Sequence, residues 1–126
     1  MDRRVWLFSV LMALVLLPGP ALAQGTVQPQ DSDPNWHATY WNNTTLSGTP
    51  ALERLEPVLD HRWGSGSPDS RVRADGFSAR WTRYLDLAAG SYRFTTVSDD
   101  GLRVSVDGRL LIDEWNDHPP KTVIAE

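Results

Sequence analysis

From Ser91 to Asp107 the chain runs in alternation with a period of two, interrupted at the Ser98–Gly101 turn, and an apolar run, Leu110-Leu111-Ile112, follows Asp107-Gly108. Tyr92, Phe94 and Thr96 alternate with Ser91, Arg93 and Thr95. Beyond Ser98-Asp99-Asp100-Gly101, Leu102, Val104 and Val106 alternate with Arg103, Ser105 and Asp107. Successive side chains of a strand point to opposite faces, so this pattern predicts half-buried strands and excludes an amphipathic helix. Asp107-Gly108 lies between apolar runs, and a two-residue hairpin turn needs the positive φ that glycine adopts without cost. The Ser98–Gly101 turn is of another kind. Adjacent carboxylates repel, so a turn that holds both calls for a cation or for several N–H donors.

The rest of the chain follows the same grammar. Asn35-Trp36-His37-Ala38-Thr39-Tyr40-Trp41 reads as a first strand, and residues 42–50 as a loop with Gly48 and Pro50. Pro50 and Pro57 leave no room for a long helix around Leu52, Leu55, Val58 and Leu59. That segment reads as a short strand or irregular stretch ending at Trp63. Gly64-Ser65-Gly66-Ser67-Pro68 is a turn. Phe77–Leu85 and Ser91–Val97 are strands joined at Ala88-Ala89-Gly90, and Lys121–Glu126 begins another. Short strands between Gly, Pro and Asp turns predict an all-β antiparallel sandwich or barrel. The chain stops within a strand-like run, so the expectation is a β-domain over 35–126 that is incomplete at its C terminus and leaves an edge open to association.

Residues 1–23 read differently. Met1-Asp2-Arg3-Arg4 precedes an apolar run from Val5 to Leu17, then Ala21-Leu22-Ala23. This is the layout of a secretory signal peptide cleaved after Ala23, and the run is shorter than the ~20 residues of a spanning helix. The mature chain is then expected to carry no membrane span. Residues 24–34, polar with Pro29 and Pro34, read as a linker. The formal charge of −4 becomes one unit more negative without Arg3, Arg4 and Asp2. An acidic chain of this kind offers no basic patch for nucleic acid. It has no cysteine, which removes disulfides, thiolate metal sites and a cysteine nucleophile together.

Tyr40-Trp41-Asn42, Trp63-Gly64-Ser65-Gly66, Phe77-Ser78-Ala79-Arg80-Trp81, Gly90-Ser91-Tyr92-Arg93-Phe94, Ser98-Asp99-Asp100-Gly101 and Asp107-Gly108 occur in this order. Together they resemble the protective-antigen-type domain. That family is found in the anthrax protective antigen, within bacterial β-glucosidases and in yeast flocculins and adhesins. The resemblance spans residues 36–126 and implies an antiparallel β-sandwich or barrel that binds carbohydrate or protein rather than catalysing a reaction. It also implies that Asp99 and Asp100, joined by a cis peptide, hold a calcium ion that coordinates sugar hydroxyls. Other calcium ligands in that family come from a later loop.

Each candidate residue has a plainer reading beside the functional one. Calcium takes six to eight oxygens, so Asp99 and Asp100 are a start, and they equally suit a capped hairpin turn. Asp113 and Glu114 form a second acidic pair, but nothing brings two carboxyls into the ~5 Å relation of a retaining glycosidase. His37, His61 and His118 lack metal-ligand spacing. Trp63 and Trp81 read as core. Trp115 is the candidate for stacking on a sugar, or it closes the mouth of the β-structure. Arg80 lies on the face opposite Ala79 and Trp81, either exposed or paired with an acidic turn. The reading is an exported, non-catalytic carbohydrate-binding module at the cell surface or in the envelope, with Asp99, Asp100 and Trp115 as site residues and Ca2+ as cofactor. Its expected partners are a glycan or envelope polysaccharide and further domains of the same chain. The alternative is a structural or adhesive protein-interaction module without a sugar site.

Overall fold

The structure, a computed structural model, describes residues 33–126 and, as backbone, a strand at Leu7–Leu11. The expected signal peptide and linker therefore lie outside the described residues, apart from that strand and Asp33-Pro34. The strands are β1 (Leu7–Leu11), β2 (Trp36–Trp41), β3 (Leu52–Glu56), β4 (Ser78–Thr82), β5 (Phe94–Asp99), β6 (Leu102–Val106), β7 (Arg109–Glu114) and β8 (Lys121–Ala125). They form antiparallel sheets in the orders β3-β2-β4, β1-β5-β8 and β6-β7. The fold is all-β, of the sandwich type, with no closed barrel among the described residues. None of them belongs to a helix long and apolar enough to cross a membrane.

Strand periodicity decides what the β3-β2-β4 sheet buries. Tyr40 pairs with Leu52 on one side and Ala79 on the other, and Ala38 with Arg54 and Trp81. Directly opposed residues share a face, so Ala38, Tyr40, Leu52 and Ala79 line the inner face, where Phe77 and Val72 join them. Tyr40 and Phe77 have no exposed surface at all. His37, Leu55, Thr39 and Arg80 fall on the outer face, as period two requires. The same rule has an unexpected result in β3, Leu-Glu-Arg-Leu-Glu. Because Leu52 points inward, so do Arg54 and Glu56, while Leu55 is 57% exposed and Glu56 5%.

Strand β5 shows a similar inversion. Thr96 and Ser98 face inward and are buried, whereas Val97 faces outward. Strands β6 and β7 form the hairpin expected at Asp107-Gly108. Both residues have positive φ, 49° and 76°, as in a type I′ turn. A bulge at Val104/Ser105 leaves Leu111 without a direct partner. Leu102 of β6 is buried against Trp81, Val104 and Trp115. Trp81 also packs on the Tyr40 core, so one side chain joins the two apolar clusters.

Two expectations are corrected. Strands β5 and β6 do not pair, so Ser98–Gly101 is not a hairpin turn but a corner where the chain changes sheets. Alternation reveals faces and not neighbours, which is why the sequence suggested a hairpin. Strand β4 lies within the expected Phe77–Leu85 at Ser78–Thr82, whereas β5 is displaced toward the C terminus of the expected Ser91–Val97, to Phe94–Asp99.

Candidate functional site

The Asp99–Asp100 pair stands at that corner. Asp99 is the last residue of β5, and Asp100 turns the chain with φ 69° before Leu102 opens β6. The left-handed region is uncommon for a residue with a Cβ, and aspartate is among those that tolerate it. Among the described residues no peptide bond is cis, which corrects the cis linkage that the family resemblance implied. The left-handed turn at Asp100 redirects the chain instead. Asp100 is 9% exposed, and its N–H donates to the His118 carbonyl at 3.1 Å. The corner is thereby tied to the loop between β7 and β8, which begins at Trp115.

Trp115 is half-buried against Leu102, with the Arg103 guanidinium 4.9 Å from its ring centroid. Arg103 in turn donates to Asp113 at 2.8 Å. One tryptophan face thus lies beneath a cation, and the ring also closes over the β6 core. Glu114 accepts from Lys121 Nζ at 2.8 Å. Asp113 and Glu114 are therefore each matched to a cation along the sheet. His37 is exposed beside Asp33, His61 lies in the β3–β4 connection, and His118 sits in the corner loop. No group of three or more acidic, histidine or cysteine side chains positioned for a metal occurs among the described residues.

Two buried polar atoms among the described residues lack a partner, Ser98 Oγ and His118 Nε2. Both adjoin the acidic corner. Ser98 precedes Asp99, and His118 supplies the carbonyl that holds Asp100. Buried polar atoms are almost always hydrogen-bonded, because leaving one unpaired costs about 1–3 kcal/mol. Near the two aspartates the fold thus leaves a serine hydroxyl and an imidazole nitrogen without a hydrogen-bond partner.

A second polar centre went unrecognised in the sequence. Glu56 Oε1 accepts from Tyr40 Oη and Arg54 Nε, both at 2.6 Å, and Oε2 accepts from Trp81 Nε1 at 2.7 Å. His61 Nε2 lies 2.8 Å from Oε2. The His61 ring stacks on Trp63 and Trp81 at centroid distances of 4.8 and 5.6 Å. Burial alone would raise the Glu56 pKa, but the hydrogen bonds from Tyr40, Arg54 and Trp81 and the charge of His61 outweigh it and hold the carboxyl below its ordinary range. Burial, with the neighbouring Glu56, pushes the Tyr40 phenol well above its usual value. With its acceptor positions filled by inward-facing side chains, Glu56 fastens the β3–β4 connection to the sheet. The signal that would have found it is the period of two, which places Glu56 on the face of Leu52.

Comparison with known proteins gives a family and a relative. The PA14 domain profile matches residues 33–125. The anti-sigma-I factor RsgI3 of Acetivibrio thermocellus is 43% identical over 77 residues, 60% of this chain and 12% of that protein. The chain thus spans about an eighth of the relative's length. No solved structure gives a significant match.

Proposed function

The chain belongs to the PA14 domain family, and from that premise we propose that it is a non-catalytic carbohydrate-binding module acting outside the cell, with the Asp99–Asp100 corner and the Trp115–His118 loop as its binding edge. The observation that carries this reading is that two buried polar atoms without partners, Ser98 Oγ and His118 Nε2, belong to the residue before Asp99 and to the residue whose carbonyl holds the Asp100 N–H. Sugars are bound by dense hydrogen bonding beside an aromatic ring, and Trp115 begins the loop that joins the corner. The relative's name, an anti-sigma-I factor, fits a binding role within a larger regulatory protein. By analogy, the glycan would be a polysaccharide met outside the cell, and cleavage after Ala23 would accompany export.

Calcium fits this corner in part. Asp99 and Asp100 offer two carboxylates against the six to eight oxygens that the ion takes. When bound there, calcium would supply positive charge that relieves the carboxylate repulsion and attracts sugar hydroxyls. The protein's own part is to hold both aspartates in a fixed turn, anchored by the Asp100 N–H bond to His118.

Isothermal titration with a panel of plant and bacterial polysaccharides, with and without calcium, tests the reading. Binding that is lost in Asp100→Asn and weakened in Trp115→Ala is the expected result. Absence of heat with every glycan, together with capture of a protein partner, would favour the interaction-module alternative.

A further inference from the structure

Among the described residues four arginines lie over aromatic rings. Arg54 covers the fully buried Tyr40 and is fixed by Glu56, Arg80 covers the buried Trp41, and Arg83 covers Trp36. Arg103 stands 4.9 Å from the centroid of the half-buried Trp115, closer than the other three stand to theirs. Strand register brings this pair together. Arg103 is directly opposite Asp113 across β6-β7, so residue 115 is its diagonal neighbour, a spacing that long and aromatic side chains bridge. Asp113 Oδ1 accepts from Arg103 Nε at 2.8 Å and steadies the guanidinium over the ring. The ring itself packs on Leu102. Trp115 is therefore held between a core residue and a cation. The Arg103 and Asp113 side chains are 48% and 50% exposed, so the cation can swing into water at small cost.

We propose that Arg103 is a gate on Trp115: steadied by Asp113, it covers the ring in the free protein and is displaced when a neutral glycan stacks there. The proposal rests on the carbohydrate-binding reading above and adds the residue that sets the affinity of that site. A sugar stacks by laying its C–H groups on an aromatic face at van der Waals distance. A guanidinium on that face fills the same space, so cation and sugar are alternatives. Binding then forfeits the contact between Arg103 and the ring. The wild type should accordingly bind a neutral glycan about two- to fivefold more weakly than a chain without the cover, the factor that an exposed cation–ring contact corresponds to. The arginine acts against binding, although it adjoins the binding edge.

A glycan-free readout and a binding readout on the full chain test this together. N-bromosuccinimide oxidises accessible indoles, and the tryptic fragment 110–121 has Trp115 as its one tryptophan. By mass spectrometry that fragment should oxidise faster in Arg103→Ala than in the wild type, while the fragment bearing Trp36 and Trp41 keeps its rate. Isothermal titration with neutral oligosaccharides (cellohexaose, xylohexaose and mannohexaose) should give a Kd about two- to fivefold lower in Arg103→Ala. Arg103→Lys keeps the charge without the flat guanidinium and should lie between the two. Arg109→Ala removes the same charge at the turn end of the hairpin and should match the wild type in both readouts. An Arg103→Ala chain that binds equally well overturns the gate. One that binds more weakly also overturns it, and makes the arginine part of the glycan contact. So does a Trp115 that oxidises no faster in the variant. If Trp115 does oxidise faster but no oligosaccharide gives heat with either protein, the carbohydrate reading has failed, and the gate falls with it for want of a ligand.

Discussion

At Glu56 one carboxylate meets Tyr40, Arg54, His61 and Trp81, and its depressed pKa has a measurable consequence. A carboxyl whose folded pKa lies below its unfolded value of ~4.3 contributes stability that is fully present above that value. The contribution is lost as pH falls through the folded pKa. Glu56→Gln should therefore lower the melting temperature at pH 7, and the gap to the wild type should narrow below about pH 4 in melts run across pH. Tyr40→Phe removes one donor from a charged acceptor and should cost about 1.5–3 kcal/mol in chemical denaturation. The sequence hid this centre because Leu-Glu-Arg-Leu-Glu contains two leucines, and the residue that looked apolar and buried, Leu55, is the exposed one. The position of Leu52 alone decides which way the other four point.

Among the elements, the two turns around β6 make opposite demands. Asp107-Gly108 closes a hairpin, and its glycine has φ 76° with nothing near a would-be Cβ, so Gly108→Ala meets backbone strain only. A cost of ~1 kcal/mol follows, or a fall of roughly 4–8 °C in Tm for a domain of this size, read by calorimetry. Asp100 turns a corner between sheets with φ 69°, and asparagine tolerates that region as aspartate does. Asp100→Asn should therefore fold with a nearly unchanged Tm in the absence of calcium and should lose whatever rise in Tm calcium gives the wild type. A Tm rise that survives in Asp100→Asn would place the ion elsewhere. The hairpin was legible because Asp-Gly between alternating strands has one cheap solution. The corner was not, since the same alternation fits a hairpin or a change of sheet, and only the tertiary pairing of β5 with β8 decides between them. Of the site itself, the aspartate pair and Trp115 were visible as residue types. The orphaned Ser98 hydroxyl was invisible, because it depends on β5 turning its polar face inward.

For the whole molecule, the question is how small apolar clusters form one cooperative unit without a disulfide. The Tyr40 cluster under the β3-β2-β4 sheet and the Leu102 cluster under β6-β7 share Trp81. Its ring meets Tyr40 at 5.6 Å, edge to face, and its indole N–H reaches Glu56. A single residue thus carries apolar contact in both clusters and hydrogen bonding in one. Trp81→Phe preserves most of the contact and removes the donor, so it should lower stability by about 1.5–3 kcal/mol while unfolding stays two-state. Trp81→Ala removes the shared ring, at a cost of about 3–5 kcal/mol. If Trp81 is the bridge, the loss will also appear in the shape of the transition. Calorimetric and van't Hoff enthalpies should be equal in the wild type and should diverge in Trp81→Ala as the β6-β7 hairpin melts ahead of the Tyr40 sheet. A Trp81→Ala variant that unfolds in one sharp transition at lower temperature would show that the sheets are coupled by other contacts, and that the tryptophan contributes its area and nothing more.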